Sequence, residues 1–349
     1  MDIPVFRELS MCLPRKSGGK GMEEWELAIK LEIEAARRQA TTYELQDGTF
    51  EVNLPDGYLY RFPFEYEIAL PDDTEGDLQV GGRVIPCRVV SLVSNHLLLS
   101  SEQFLGSLVP EATITLKPWQ VLLALREILH RQGGTPVLRK PAFASGPPAL
   151  GVVARGFNPS QAAAARAVVD SPACAVWGPP GTGKTRTASL AVATLLQKER
   201  RVLCLAPTNT AVDQLAKEIG QRLKDEPKLL QKVLRYGFPV QEQIREHPYI
   251  SSKAHIACRN PRLATAINEA EKGLHEALKR GDRDAIKRWA SEVGRLRKQG
   301  REELRRYLPQ VMVLLTTVAM SLTDKDVREA GPFDLLLVDE ASMVGQLFL

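Results

Sequence analysis

Residues 173–190 read ACAVWGPPGTGKTRTASL, and the fold follows from this stretch. The apolar run 173–177 has the length and texture of a buried strand, and a helix-forming sequence follows Lys184, so the order strand, loop, helix is predicted. Trp177, the last residue of that strand, is expected to pack in the core. Between the two elements Gly178-Pro179-Pro180-Gly181-Thr182-Gly183-Lys184-Thr185 satisfies the spacing G-x-x-x-x-G-K-[ST]. Phosphate chemistry needs that spacing. The glycines let successive backbone N–H groups turn inward around a β-phosphate, and the start of the following helix adds its dipole. Lys184 supplies a cation to the β- and γ-phosphates, and the Thr185 hydroxyl is placed to ligate Mg2+. A chance glycine-rich turn shares the pattern but lacks the strand before it and the helix after it.

Further along, RVLCLAP (201–207), QVMVLLTT (310–317) and FDLLLVDE (333–340) are short apolar runs of the kind found in parallel sheets. Asp339-Glu340 follows the last of them. An acidic pair at the C-terminal end of a parallel strand lies on the ligand edge of an α/β sheet. Asp339 can hold Mg2+ through water, and Glu340 can polarise an attacking water as general base. Alone, such a pair reads better as a cap or a turn; the loop at 178–185 favours the catalytic role.

Upstream the texture differs. Residues 22–40 predict a helix with acidic and then basic ends. Residues 41–116 alternate short β-type runs with turn signals (Gln46-Asp47-Gly48, Pro55-Asp56-Gly57, Gly81-Gly82), the pattern of a small all-β barrel. Residues 118–132 return to helix, and residues 133–151 form a linker rich in Gly and Pro. Long helical stretches at 263–280 and 284–307, with Gly281-Asp282 between them, predict an antiparallel pair. The expected division is 1–40, a leading segment and helix; 41–116, the barrel; 117–150, helix and linker; 151–220, the first part of the α/β lobe; 221–309, a basic helical insertion; and 310–349, the second part of the lobe.

The net charge is +4, but residues 221–310 hold 21 basic and 12 acidic side chains, an excess of +9 that leaves −5 for the remainder. A segmental basic excess is either a phosphate-backbone footprint or a solvated helical face, and charge alone favours the latter. The longest apolar stretch, 311–322, is too short for a bilayer, and the first residues carry no secretory pattern. Five cysteines lie far apart without a CxxC pair, against a zinc ribbon or a disulfide framework. A reduced, cytoplasmic protein with no membrane partner is expected.

GPPGTGKT (178–185), APTNTAVDQL (206–215) and VDEAS (338–342), in this order, resemble motifs I, Ia and II of superfamily 1 helicases. The nearest likeness is to the Upf-like group, which includes the nonsense-mediated-decay helicase and the immunoglobulin-mu-binding helicase. FNPSQ (157–161) resembles that family's Q motif, LRYG (234–237) its Arg-containing strand after motif Ia, and LLTTVAM (314–320) the segment before motif II. The resemblance implies a RecA-like P-loop lobe, preceded by a β-barrel on two stalk helices and interrupted by a helical insertion. It implies ATP and Mg2+ as cofactors, single-stranded DNA or RNA as partner, and 5′-to-3′ movement. Met343-Val344 resembles the RecD-type helicases instead, which share that polarity.

Carried over residue by residue, the resemblance makes Gln161 the adenine contact and Gly178 to Thr185 the nucleotide cradle. Lys184 and Glu340 are then catalytic, and Thr185 with Asp339 holds Mg2+. Thr208, Asn209, Thr210 and Thr316 are expected on the nucleic-acid backbone. At Thr208 to Thr210 the residues themselves allow two compatible roles, helix N-capping and phosphate binding. Tyr58, Tyr60, Phe62 and Phe64 alternate, so one face is core, and Tyr60 or Phe62 is a base-stacking candidate.

The family continues after motif II with motif III and a second RecA-like lobe carrying arginine fingers, worth about 10³–10⁵ in rate in related systems. The strand after motif II would lie between the strand ending at Trp177 and the strand ending at Asp339, so those two are expected to face a gap. Two readings compete. One is an ATP-dependent translocase whose second lobe comes from a longer or companion chain. The other is a nucleotide-responsive nucleic-acid-binding fragment with little turnover. A ring-forming AAA-type remodelling ATPase fits less well, because TNTAVDQL (208–215) argues against it.

Overall fold

The structure is a computed structural model and describes residues 20–38, 41–54, 57–66, 70–93, 95–132 and 156–344. The Gly/Pro linker, Pro55-Asp56 and residues 345–349 lie outside the described residues.

Six antiparallel strands close a barrel in the order β1-β2-β5-β4-β3-β6: β1 Thr42–Leu54, β2 Gly57–Pro63, β3 Glu75–Val80, β4 Arg83–Val93, β5 His96–Ser101 and β6 Leu108–Leu116. Register shifts in β1 at Phe50/Val52 and in β4 at Val89/Ser91 bend those strands, as closure of a small barrel requires. Gly81-Gly82, both left-handed, make the predicted β3–β4 turn. Gln46-Asp47-Gly48 is not a turn: β1 runs through it, with Asp47 left-handed at φ 52°.

The alternating aromatics Tyr58, Tyr60, Phe62 and Phe64 share one side of their strand, and all four are buried in the barrel core. The expectation that Tyr60 or Phe62 stacks on a base is therefore corrected. Their common parity sends them all inward, and the Tyr60 hydroxyl is committed, donating to Gly106 O and accepting from Leu105 N.

Two helices, α1 Lys20–Arg38 and α2 Trp119–Gln132, flank the barrel in sequence and pack together through Ile29, Ile33 and Leu125. In the lobe, α3 Pro159–Asp170 and α4 Lys184–Gln197 precede β7 Val202–Ala206 and α5 Asn209–Arg222. After the short α6 Pro227–Leu230 come β8 Val233–Arg235, α7 Glu242–Arg245 and α8 Ser252–Arg259. The helical pair is α9 Pro261–Arg280 and α10 Arg283–Tyr307, joined at left-handed Gly281 and N-capped by Asp282. The chain then returns through β9 Val313–Thr317, α11 Val318–Thr323, α12 Lys325–Glu329 and β10 Leu335–Val338.

The second sheet is parallel, in the order β10-β7-β9-β8. Period-2 alternation gives it two apolar faces. Val202, Cys204, Val233, Val313 and Leu315 meet α4 and α5 on one side. Leu234 and Leu314 meet Leu54, Leu59, Val90 and Leu98 from the barrel exterior on the other. That is why β5 reads as a continuous apolar run: its strand is covered inside and out. At about 1.5–3 kcal/mol per buried side chain, those four barrel residues contribute roughly 6–12 kcal/mol before docking entropy, so the barrel is fixed to the lobe and not tethered. The barrel core also continues into the α9–α10 pair through Leu263, Ile267, Leu274, Val293 and Leu296.

Two expectations change. Segment 221–309 is not insertion alone, because β8 within it belongs to the parallel sheet; a three-residue strand is too short for periodicity to register. Segment 173–177 is not a strand. It has no sheet partner among the described residues, and Trp177, expected in the core, is 78% exposed. Among the described residues β10 pairs only with β7 and Leu336 on it is exposed, so β10 is an open edge of the sheet.

Candidate nucleotide site and the barrel–lobe junction

The phosphate loop runs into α4, whose N-cap Gly183 is left-handed at φ 81° and offers no side-chain cap. The first amides of α4 are therefore left for an anion. A Cβ on Gly183 would lie 2.9 Å from Gln161 Nε2, so the position admits only glycine while Gln161 leans on the loop. Thr182 Oγ1 closes the turn by donating to Pro179 O at 2.8 Å. Lys184 Nζ donates to Gly178 O at 2.8 Å and Pro179 O at 3.2 Å, which holds its cation over the loop. Thr185, one residue into the helix, is partly exposed. An uncapped helix start, a cation and a hydroxyl are the donor set a magnesium–triphosphate needs, so the residues fit ATP with Mg2+.

Gln161 has a local role that the sequence reading did not assign. Asn158 caps α3 by accepting from Gln161 N at 2.8 Å, and Gln161 Oε1 accepts from Asn158 N at 3.2 Å, a reciprocal capping box with Pro159 in the first turn. Its Nε2 donates to Thr182 O at 3.0 Å, so the same amide braces the phosphate loop.

Asp339 continues the β10–β7 ladder, donating its N–H to Leu205 O at 2.8 Å, and Asp339 Oδ1 accepts from Glu340 N at 3.1 Å. Its charge, after burial, helps push the Cys204 thiol up. Glu340 is exposed and left-handed at φ 52°, a conformation that costs a non-glycine residue about 1 kcal/mol or more and is retained where a side chain must be aimed. Because β10 and β7 are parallel, Asp339-Glu340 and the start of α5 lie on the same edge of the sheet.

The four expected strand contacts divide. Thr208 caps α5, accepting from Ala211 N at 3.2 Å, and is half-buried; Thr210 is exposed. Asn209 and Thr316 are fully buried, and here the expectation of nucleic-acid contact is corrected. Asn209 is engaged by the barrel. Its N–H donates to Asp72 Oδ2 at 2.7 Å, its Nδ2 to Val90 O at 2.9 Å and Asp73 Oδ1 at 3.4 Å, and its Oδ1 accepts from Arg235 Nη2 at 2.7 Å. Thr317 Oγ1 donates to Asp73 Oδ2 at 2.5 Å. Behind them Arg235 Nε meets Asp213 Oδ1 at 2.8 Å, and Asp213 Oδ2 accepts from Val240 N and Gln241 N. Burial pushes the Asp72 carboxyl up to about 7, with the Asn209 N–H pulling against it and the Asp73 charge adding to it. Asp73 is raised as well, by burial, against the nearby Arg88 charge. Sequence reasoning missed Asp72 and Asp73; Pro-Asp-Asp-Thr reads as an ordinary turn, and only tertiary structure brings it to α5.

The basic excess of residues 221–310 is partly spent internally. Arg235 and Arg297 are buried against Asp213 and Glu271, while Arg301 and Arg305 reach Glu102 and Asp326. A cavity of about 680 Å3 between barrel, α10 and α11 is lined by such pairs, among them Arg88–Glu75 and Lys117–Asp77. Exposed cations remain along the α9–α10 pair, including Lys279, Arg283, Lys287, Arg288 and Lys298.

A glycine loop with a lysine and a threonine at an uncapped helix start, together with an acidic pair at the C-terminal end of a parallel strand, is the residue set of a P-loop nucleoside-triphosphatase. The family described as AAA domain matches residues 156–346, more than half the chain, and the chain belongs to it. It is 48% identical over 70 residues to ATP-dependent helicase upf1 of Schizosaccharomyces pombe, a match covering 18% of this chain and 8% of that protein. It is 26% identical over 196 residues to DNA-binding protein SMUBP-2 of Rattus norvegicus, covering 53% of this chain and 19% of that protein. With the Regulator of nonsense transcripts 1 homolog of Arabidopsis thaliana it shares 46% identity over 65 residues, covering 18% and 5%. The chain is thus a superfamily 1 helicase relative of the Upf-like group, an ATP-hydrolysing family with a RecA-like lobe, and it spans under a fifth of the length of these relatives. Among the described residues no helix is long and apolar enough to cross a membrane.

Proposed function

We propose that residues 1–349 are the ATP-binding and strand-gripping portion of a cytoplasmic helicase that moves 5′ to 3′ on single-stranded DNA or RNA. The observation that carries this reading is the uncapped start of α4 with Lys184 folded over the loop; Asp339-Glu340 lie at the sheet edge where α5 begins. Gly178 to Thr185 cradle the triphosphate, Thr185 and Asp339 hold Mg2+, and Gln161 reads adenine with its remaining hydrogen-bonding capacity. Mg2+ supplies charge neutralisation on the β- and γ-phosphates. Glu340 takes the proton of the attacking water, and its left-handed backbone supports that aim. Exposed Thr210, with Thr208 beside it, offers the helix start of α5 to a strand phosphate. The α1–α2 pair serves as the stalk of the barrel, and the exposed cations of α9 and α10 flank the strand.

The open β10 edge and the unpaired segment 173–177 favour a second element of the proposal: another strand and a second lobe, from a longer or companion chain, complete the engine. They equally support the other reading, a nucleotide-responsive nucleic-acid-binding fragment with little turnover. Steady-state ATP hydrolysis, alone and with single-stranded DNA or RNA, separates the two, with Lys184→Ala as the blank. Strand-stimulated turnover lost in the variant supports the helicase reading. Strand binding without turnover above the blank supports the fragment reading. A folded chain that binds no nucleotide refutes both.

A further inference from the structure

The turn before α3 is held by a contact set that the nucleotide reading leaves unused. Two guanidinium groups lie over the Phe157 ring, Arg186 with Cζ 4.9 Å from the centroid and Arg222 at 4.4 Å. Arg186 stands two residues into α4 after the phosphate-loop lysine; Arg222 is the last residue of α5. Arg186 Nη2 also donates to Gly156 O at 3.1 Å, and Gly156 is left-handed at φ 83°. The next residues are the capping pair Asn158 and Gln161, and Gln161 Nε2 reaches Thr182 O. An unbroken series of contacts thus runs from the end of α5, through Phe157 and Arg186, to the amide that leans on the phosphate loop.

Packing alone does not call for this arrangement. Phe157 already sits against Ala162, Ala165, Leu190 and Ala191, which would anchor α3 by itself. Bringing two like charges to one ring works against stability: Arg222 is pulled down by burial and then by the charge of Arg186. What the two arginines add is direction. A planar guanidinium stacked on a ring and bonded to a carbonyl fixes the rotation of the 156–158 turn against α4, the helix that carries the loop.

The amide of Gln161 makes that rotation matter. A primary amide has two N–H donors and an oxygen with two lone pairs. Thr182 O takes one donor and Asn158 N one lone pair, so one donor and one acceptor remain. That remainder matches adenine, which offers N7 as acceptor and N6–H as donor on one edge. Guanine offers two acceptors there, N7 and O6, and leaves the amide oxygen unmatched.

We propose that Arg186 and Arg222 are positioning residues for base selection: by clamping Phe157 they hold the free edge of Gln161 toward the base, so that adenine nucleotides are preferred over guanine nucleotides. This rests on the nucleotide-site reading above. The test is equilibrium binding of Mg-ATP, Mg-GTP and inorganic tripolyphosphate to the 349-residue chain, in wild type, Arg186→Met, Arg222→Met, Gln161→Ala and Gln161→Ala/Arg186→Met. Wild type should prefer ATP over GTP. Arg186→Met and Arg222→Met should each lose about tenfold of that preference while tripolyphosphate affinity stays within twofold, and the double variant should discriminate no worse than Gln161→Ala. A role confined to holding α3 in place would instead weaken all three ligands together, and that result overturns the proposal. So does an unchanged ATP/GTP ratio in both arginine variants, or a wild type without preference. Wild type that binds neither ATP nor tripolyphosphate overturns the nucleotide reading and this proposal with it.

Discussion

Replacing Asp72 by asparagine tests the junction between barrel and lobe. The Asp72 carboxyl is almost fully buried, accepts from Asn209 N at 2.7 Å, and shares its surroundings with Asp73, Asp213, Arg235 and Arg88. Its pKa is about 7 in the folded chain, against about 4 when unfolded. The folded state therefore binds the extra proton, and stability falls as pH rises from about 4 to about 7. Three units correspond to about 4 kcal/mol of destabilisation, fully present above pH 7. Asparagine keeps an acceptor for Asn209 N but adds a buried NH2 lacking an assured partner, which costs roughly 1–2 kcal/mol. Asp72→Asn is thus expected to be more stable than wild type by about 2–3 kcal/mol at pH 8 and nearly equal to it at pH 4.5. Urea midpoints at the two pH values measure the gap. A gap that does not change with pH, or a variant less stable at pH 8, would refute the reasoning.

Arg235→Met leaves Asp213 charged and fully buried, so a loss of about 3–5 kcal/mol is expected in urea unfolding. Thr210→Glu puts a carboxylate on the exposed first turn of α5; the helix dipole tolerates it, so the melting temperature should hold while single-strand affinity drops at least about tenfold in fluorescence anisotropy. Gly273 on α9 meets the Trp289 ring on α10, and Gly273→Ala should destabilise by about 1–3 kcal/mol on thermal melting, with nucleotide binding unchanged.

The phosphate loop was legible because its chemistry is local: eight residues carry both the conformation and the ligand groups. The barrel was legible because its strands alternate and its turns carry glycine, and the α9–α10 pair because its apolar stripe repeats over many turns. What escaped depends on packing between distant segments. Segment 173–177 has strand composition, but a strand needs a neighbour, and none of the described residues provides one. Tyr60 and Phe62 looked able to face a base because alternation fixes parity without saying which parity is inside. Asn209 carried a recognisable motif, yet its neighbours Asp72 and Asp73 come from more than 130 residues earlier in the sequence. Gln161 was read through its motif alone, although Asn-Pro-Ser-Gln also spells a capping box.

The core shared by the barrel and the α9–α10 pair joins segments made at different times. The last barrel strand ends at Leu116, and the helices that cover Tyr58 begin about 140 residues later. At about 5–20 residues per second, a barrel leaving the ribosome waits roughly 7–28 s with the neighbourhood of Tyr58 uncovered. During synthesis, therefore, a complete but uncovered barrel is a target for chaperones or for aggregation.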